Sequence, residues 1–249
     1  MSEAEPNGAA ASRSGEWFAT THWTVVLAAG QEALPQAGQA LESLCRTYWY
    51  PLYACVRRRG YCAEDAEDLT QGFLASLLST HSLGTVHPAK GRFRSFLLAA
   101  LNHFLANEWD KARTLKRGGG QPVISLDTAE TRYRAEPSEN MSPDRIFERQ
   151  WAVTLLAQVA ARLRGDYQSS NRGPLFEALQ VYLTGDKGLP PCHETAGQLG
   201  LSPQALKKAV ERLRRRYGEM LREEIARTVS DPAEVDEEIR HLRSVLSPP

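Results

Sequence analysis

The sequence predicts an all-α protein of two small helical domains joined by a flexible linker, the C-terminal one a helix-turn-helix. Apolar residues recur at helical spacing through most of the chain after residue 39, and no stretch alternates apolar and polar residues over a useful strand length. Residues 118–142 divide the chain, because they begin with three consecutive glycines and carry no helical stripe. The 249 residues suffice for two domains with their own cores.

The charges cancel overall but are unevenly distributed. The chain has 30 Lys or Arg and 30 Asp or Glu. Residues 203–217 nevertheless carry six basic residues and one acidic residue. Residues 90–117 carry seven basic residues and two acidic residues. Acidic residues collect in 64–68, 130–139 and 231–238. Because local patches set the field that a nucleic acid meets, zero net charge does not exclude a DNA-binding protein.

The remaining composition argues against several other classes. The four cysteines have neither the spacing of a metal site nor that of a disulfide framework, so we expect reduced thiols, no metal and no cofactor. No apolar run approaches the ~18 residues that a membrane span needs. The N-terminus lacks the apolar segment of a signal peptide. We therefore expect a cytoplasmic protein without a membrane segment.

The first domain is predicted over 23–117, after a disordered tail over 1–22. The segment Trp17–Ala29 can pack, with a short helix from Thr24. A long amphipathic helix spans 39–60, and Pro51 should kink or restart it. A helix with an acidic first turn opens at Ala63, and a third, with an apolar stripe, begins near Gly91.

The second domain is predicted over 143–229, after the linker 118–142. Helices begin at Ser142-Pro143-Asp144 and at Pro174. An acidic extension, 230–249, follows, in which Asp231-Pro232 caps a last helix that ends near Leu246. This extension is either an autoinhibitor that folds back on a basic DNA-binding face or a helix that caps the second domain.

The stretch 192–216 predicts two helices joined by a tight turn. Gly200 supplies the turn, and Ser202 followed by Pro203 is a strong start signal for the second helix. The second helix has an apolar face, while Lys208, Arg212 and Arg215 fall on the opposite face. This pattern is typical of a DNA-binding helix-turn-helix whose second helix enters the major groove. The alternative is an ordinary helical hairpin with a solvated basic face.

Two separated patterns together resemble bacterial sigma factors. The first is Asp65-Ala66-Glu67-Asp68-Leu69-Thr70-Gln71, followed by Phe93-Arg94-Ser95-Phe96-Leu97 and Asn102. The second is Leu199-Gly200-Leu201-Ser202, followed by Leu206-Lys207, Arg212 and Arg214. In this order they resemble the sigma-70 family, especially its small extracytoplasmic-function (ECF) type, over about two thirds of the chain.

The resemblance implies three sets of contacts. The helix that begins at Ala63 would contact core RNA polymerase. The helix after Gly91 would engage the melted −10 promoter element, and the second helix of the helix-turn-helix would read the −35 element. The polymerase-binding residues would be Asp65, Asp68 and Gln71. The −10 residues would be Arg92, Arg94, Asn102, His103, Lys111 and Arg113, and the −35 residues would be Gln204, Lys207, Lys208, Glu211, Arg212 and Arg215. Arg214, Arg215 and Arg216 would hold phosphates, which position the protein without specifying sequence.

The sequence therefore predicts an ECF-like sigma factor that binds core RNA polymerase and promoter DNA and directs transcription initiation. We expect no catalytic residue, a monomer when free, and an anti-sigma factor as a further candidate partner. The alternative is a helix-turn-helix regulator that does not join the polymerase. A nucleic-acid-modifying enzyme is a third class, which the absence of a recognisable catalytic motif disfavours.

Overall fold

The computed structural model describes residues 37–79, 91–112, 126–135, 141–184, 189–229 and 231–247. These residues form helices and contain no strand, which confirms the all-α class. The helices are α1 (Ala37–Arg58), α2 (Ala63–Ser79), α3 (Phe93–Ala112), α4 (Leu126–Arg134), α5 (Pro143–Ser169), α6 (Gly173–Leu179), α7 (Val181–Thr184), α8 (Cys192–Gln198), α9 (Pro203–Ala226) and α10 (Val235–Leu246), with a 3-10 turn at Pro232–Glu234. The predicted tail, the segment Trp17–Ala29 and Arg113 lie outside the described residues.

Helix α1 is the centre of the larger hydrophobic core. It runs through Pro51 as one helix, so of the two predicted effects of this proline, a kink or a restart, the restart does not occur. Leu52 and Tyr53 are fully buried, and Tyr48 contacts Phe93 edge to face with the ring centroids 5.6 Å apart. The helix ends at Arg58, and the turn after it contains Gly60, whose φ of +96° lies in the left-handed region that favours glycine. The turn at Gly60 directs the chain into α2, which packs on α1.

The long helix α5 contributes to both hydrophobic cores. Its first half buries Phe147 and Trp151 against α1, and the rings of Phe147 and Tyr48 stack at 6.3 Å. Its second half places Val159 and Leu163 in the smaller core, with α6 to α9. One continuous helix thus links the larger core, which lies around α1, with the core beneath α9. The two-domain arrangement stays a prediction, and its proposed boundary falls just before this shared helix.

Helix α4 lies inside the interval where the sequence indicates a linker without helices. Among the residues that the structure describes, it buries Ala129 in the larger core and packs the half-buried Tyr133 against it. Glu130 also fixes the helix, by accepting hydrogen bonds from Tyr53 at 2.8 Å and from Arg57 at 2.9 and 3.0 Å. Arg132 adds a hydrogen bond to Gln150 at 2.9 Å and lies over the Tyr50 ring. Because polar contacts to distant residues provide much of what holds α4, its apolar stripe is too short for the sequence pattern to indicate it.

The C-terminal helix α10 forms as the sequence predicts. The Asp231 carboxylate accepts a hydrogen bond from the backbone N–H of Ala233 at 2.8 Å, and the helix ends at Leu246. Its apolar face, however, joins the larger core through Val235, Leu242 and Val245. Helix α10 packs on α5 and α9. It is therefore part of the body of the protein and more than a cap on the second half.

No helix in the described part of the chain combines the length and the apolar character needed to cross a bilayer.

Candidate nucleic-acid interface

Helices α8 and α9 form a tightly connected pair around Gly200. This glycine has a φ of +64°, and the next N–H, of Leu201, bonds the carbonyl of Ala196 at 2.9 Å. The Ser202 hydroxyl then accepts from the N–H of Ala205 at 3.2 Å, so it is the N-cap of α9. Leu206 is fully buried and fixes α9 against the smaller core. The start, the turn and the cap agree with the sequence prediction.

The outer face of α9 is polar, and most of its charges are basic. The six residues predicted to approach the −35 element are all exposed: Gln204, Lys207, Lys208, Glu211, Arg212 and Arg215. They project from a helix held by buried residues on its opposite side, which fixes their spacing. Arg215 lies 3.9 Å from Glu219, an exposed contact of little energetic weight. A rigid helix with such a face can enter a major groove and place side chains against base edges.

Two arginines expected at phosphates have partners within the protein. Arg214 donates two hydrogen bonds to the carbonyl of Tyr182, at 2.8 and 3.0 Å. Arg216 lies 3.7 to 4.0 Å from Asp166, Glu219 and Glu223. Arg214 is exposed, and these two bonds join its position on α9 to the carbonyl of Tyr182 on α7. The helical wheel gives no signal for this, because Arg214 lies seven positions after Lys207 and therefore on the same face of α9.

Helix α2 exposes part of its acidic first turns. Asp65 and Asp68, both predicted to contact polymerase, are exposed. Gln71, the third predicted residue, is half-buried and donates to Glu67 at 3.0 Å. Burial and the neighbouring Asp68 raise the pKa of Glu67, and the bond from Gln71 opposes that rise. The two aspartates thus lie on an accessible acidic surface together with the exposed Glu64, while Gln71 is partly engaged within the helix.

The predicted −10 residues on and beside α3 are divided between exposed and paired positions. Asn102 and His103 are exposed, and the amide oxygen of Asn102 accepts a hydrogen bond from Arg59. Lys111 lies near the end of the helix. Arg92 is half-buried and forms an ion pair with Glu238. The structure therefore brings Asn102 and His103 to one surface and holds Arg92 in a contact with α10.

Arg94 is the clearest departure from the predicted site. Its side chain is 2% exposed and forms ion pairs with Glu148 at 2.7 Å and Glu238 at 2.6 Å. Its guanidinium also lies over the Trp151 ring at 4.3 Å. In this arrangement Arg94 is not a surface contact for DNA. The reason is its helical phase, since it precedes the buried Leu97 and Leu101 by three and seven positions.

A groove next to Asn102 contains residues that sequence reasoning did not select. It has a volume of about 750 Å³ and is lined by Arg59, Gly60, Tyr61, Asn102, Leu105, Ala106 and Trp109. The Trp109 side chain is 57% exposed. An aromatic surface beside a basic and an amide side chain suits a base of single-stranded DNA. An unusually exposed tryptophan becomes recognisable only when its helix face is known.

No protein-family model, curated protein or solved structure matches this chain.

Proposed function

We propose that the chain is an ECF-like sigma factor, which binds core RNA polymerase and directs it to promoters. The observation that carries the proposal is the geometry of α8 and α9. A glycine turn and a serine cap hold α9 so that Gln204, Lys207, Lys208, Glu211, Arg212 and Arg215 all face outward. The separate acidic surface of α2 supports the polymerase-binding half of the proposal, because exposed carboxylates can pair with a basic surface of a protein partner.

In this proposal, α9 reads duplex DNA and α3 engages the melted strand. Lys and Arg favour guanine edges, Gln pairs with adenine, and Glu can accept from cytosine. Asn102 and His103, with the groove beside Trp109, would hold bases that leave the stack. Capturing such bases offsets an unstacking cost of roughly a few kcal/mol for each base. The function is a series of binding steps and assigns no catalytic residue.

The decisive experiment is a pull-down with purified core RNA polymerase, in which Asp65 and Asp68 are both changed to alanine. We expect the wild-type chain to bind and the double variant to bind at least tenfold more weakly, because two exposed carboxylates are lost from the contact. Glu42→Ala is the matched control, since Glu42 is an exposed carboxylate on the neighbouring helix α1 and pairs only with exposed Arg46 among the described side chains. It should bind as the wild type does.

The outcomes separate the two candidate functions. Absence of polymerase binding by the folded wild-type chain would reject the sigma-factor proposal. Promoter binding without polymerase binding would favour a free-standing regulator. Equal binding by the wild-type chain and the double variant would keep the function and move the polymerase contact away from α2.

The DNA-reading half of the proposal has its own test on α9. Changing Lys208 to alanine should weaken binding to duplex DNA and lower the slope of log K against log salt by about 1 if this lysine contacts a phosphate. A loss that depends on the base sequence would place Lys208 at a base edge instead. No effect on either quantity would contradict the assignment of this helix face to DNA.

A further inference from the structure

Glu238 is the most deeply buried charged residue in the described part of the chain. It belongs to α10 and is fully buried. One oxygen lies 2.9 Å from the Arg92 guanidinium, and the other lies 2.6 Å from that of Arg94. Removing a carboxylate from water costs several kcal/mol unless cations compensate it. The Arg92–Arg94 pair provides that compensation, and it is an anion-binding site that a side chain of the same protein occupies.

The same network reaches a third helix. Arg94 also pairs with Glu148 of α5, and Glu148 lies 3.2 Å from the imidazole of His241 on α10. Burial by itself would lower the pKa of Arg94, but Glu148 and Glu238 together raise it. Two arginines therefore face two carboxylates, with His241 beside them. The network thus connects the start of α3 with Glu148 on α5 and with Glu238 and His241 on α10.

Apolar and polar contacts hold the rest of α10 in place. Val235, Leu242 and Val245 are buried in the larger core. At the outer edge, Arg222 of α9 donates to Asp236 at 2.7 Å. Ile239 and Leu246 also pack against this core. The helix nevertheless has only twelve residues, and isolated helices of this length are marginal in water. Release of α10 as a unit is therefore a feasible local opening.

We propose that α10 is an autoinhibitory clasp: Glu238 occupies the Arg92–Arg94 anion site in the free chain, and a DNA phosphate takes its place when α10 leaves. The inference rests on the proposed function and specifies how its −10 surface is regulated. Arginine forms charge-assisted, forked hydrogen bonds with phosphates as readily as with carboxylates. When α10 leaves, Arg92 loses its only ion-pair partner among the described residues, while Arg94 keeps Glu148. Arg92 is thus the principal phosphate contact of the open form.

The test compares Glu238→Gln with Glu237→Gln in the full-length chain. Both substitutions remove one negative charge from the same helix, but Glu237 is exposed and has no part in the network. The probes are a fluorescent single-stranded oligonucleotide and the same sequence as a duplex, titrated at several salt concentrations. Hydrogen exchange of the α10 amides measures in parallel whether the helix has left its site.

We expect Glu238→Gln to accelerate exchange in α10 and to tighten binding of the single strand roughly 5- to 100-fold, the usual size of a coupling between two sites. The salt dependence should steepen by about 1 to 2, because one or two arginines become available to phosphates. Glu237→Gln should change the affinity by less than twofold. Adding Arg92→Ala to Glu238→Gln should remove most of the gain, which assigns it to this arginine.

A second variant covers the case in which Glu238→Gln leaves α10 seated. Leu242→Asp places a charge in the apolar contact of α10 without touching the arginines. Release of α10 in either variant without tighter binding would overturn the proposal. If neither variant releases α10 while circular dichroism shows a folded chain, α10 is a fixed part of the core and the clasp is also rejected. Failure of every variant to bind DNA or polymerase would instead reject the proposed function.

Discussion

Replacing Glu130 with glutamine should lower the free energy of unfolding by about 3 kcal/mol at neutral pH. Glu130 accepts from Arg57, Tyr53 and Arg134, and its side chain is only 13% exposed. The hydrogen bond from Arg57 is the largest cause that lowers the pKa of Glu130, from an ordinary 4.5 to about 2, although burial acts in the opposite direction. One pKa unit corresponds to about 1.4 kcal/mol, so the shift corresponds to about 3 kcal/mol.

The sign of the pH dependence follows from the lowered pKa. Above 4.5 the carboxylate is ionised in both the folded and the unfolded chain, and the full stabilisation is present. As the pH falls from 4.5 towards 2, the unfolded chain takes up a proton before the folded chain does, and the stabilisation is lost. Glutamine resembles the protonated carboxyl group. The wild type and Glu130→Gln should therefore differ most at pH 7 and converge near pH 2.

Denaturant unfolding, followed by circular dichroism from pH 7 to pH 2, measures this difference. Glu42→Gln is the control, because Glu42 pairs with Arg46 at 2.6 Å and both side chains are more than half exposed. It should change stability by less than about 0.5 kcal/mol at every pH. A difference between the wild type and Glu130→Gln that stays constant down to pH 3 would refute the reasoning, because it would show that charge is not the source of the stabilisation.

Substitutions at three further positions test other parts of the fold. Trp151→Ala should destabilise the chain by about 3–5 kcal/mol in chemical denaturation, because this large side chain is 1% exposed and a cavity would remain. Ser202→Ala should lower the free energy of unfolding by about 1 kcal/mol and increase hydrogen exchange in the first turn of α9, because the N-cap bond is lost. Ser202→Asn should keep most of the wild-type stability, because asparagine is also a good N-cap. Arg214→Ala should lower stability by about 1–3 kcal/mol and leave the salt slope of DNA binding unchanged, because its two hydrogen bonds go to the carbonyl of Tyr182. A reduced slope would return Arg214 to the phosphate contacts.

Local signals made the helix boundaries predictable. The predicted starts at Ala63, Pro143 and Pro203 agree with the structure, because caps, prolines and dipole charges act within one helical turn. The exposed face of α9 is also predictable, since helical periodicity alone places Lys208 opposite Leu206. These features depend on neighbouring residues in the sequence.

The features that the sequence did not reveal depend on distant residues. Glu130 meets Arg57 across 73 positions, and Arg94 meets Glu148 across 54. An arginine followed by an apolar stripe has the same local pattern whether it faces DNA or a buried carboxylate. Its helical phase could have suggested burial for Arg94, but only the fold supplies Glu238 as its partner. The candidate site was therefore predictable on α9 and only partly predictable on α3.

The position of α5 in both cores constrains how the chain can open. At 1.5 Å per residue, its 27 residues form a rod of about 40 Å. Separation at the predicted linker would pull this rod away from α1 and uncover Phe147, Trp151 and the ring of Tyr48 together. Exposing such an apolar surface to water is unfavourable unless another apolar surface packs on it. A partner that holds the two halves apart therefore has to offer an apolar surface of similar shape, so opening and assembly would be a single event.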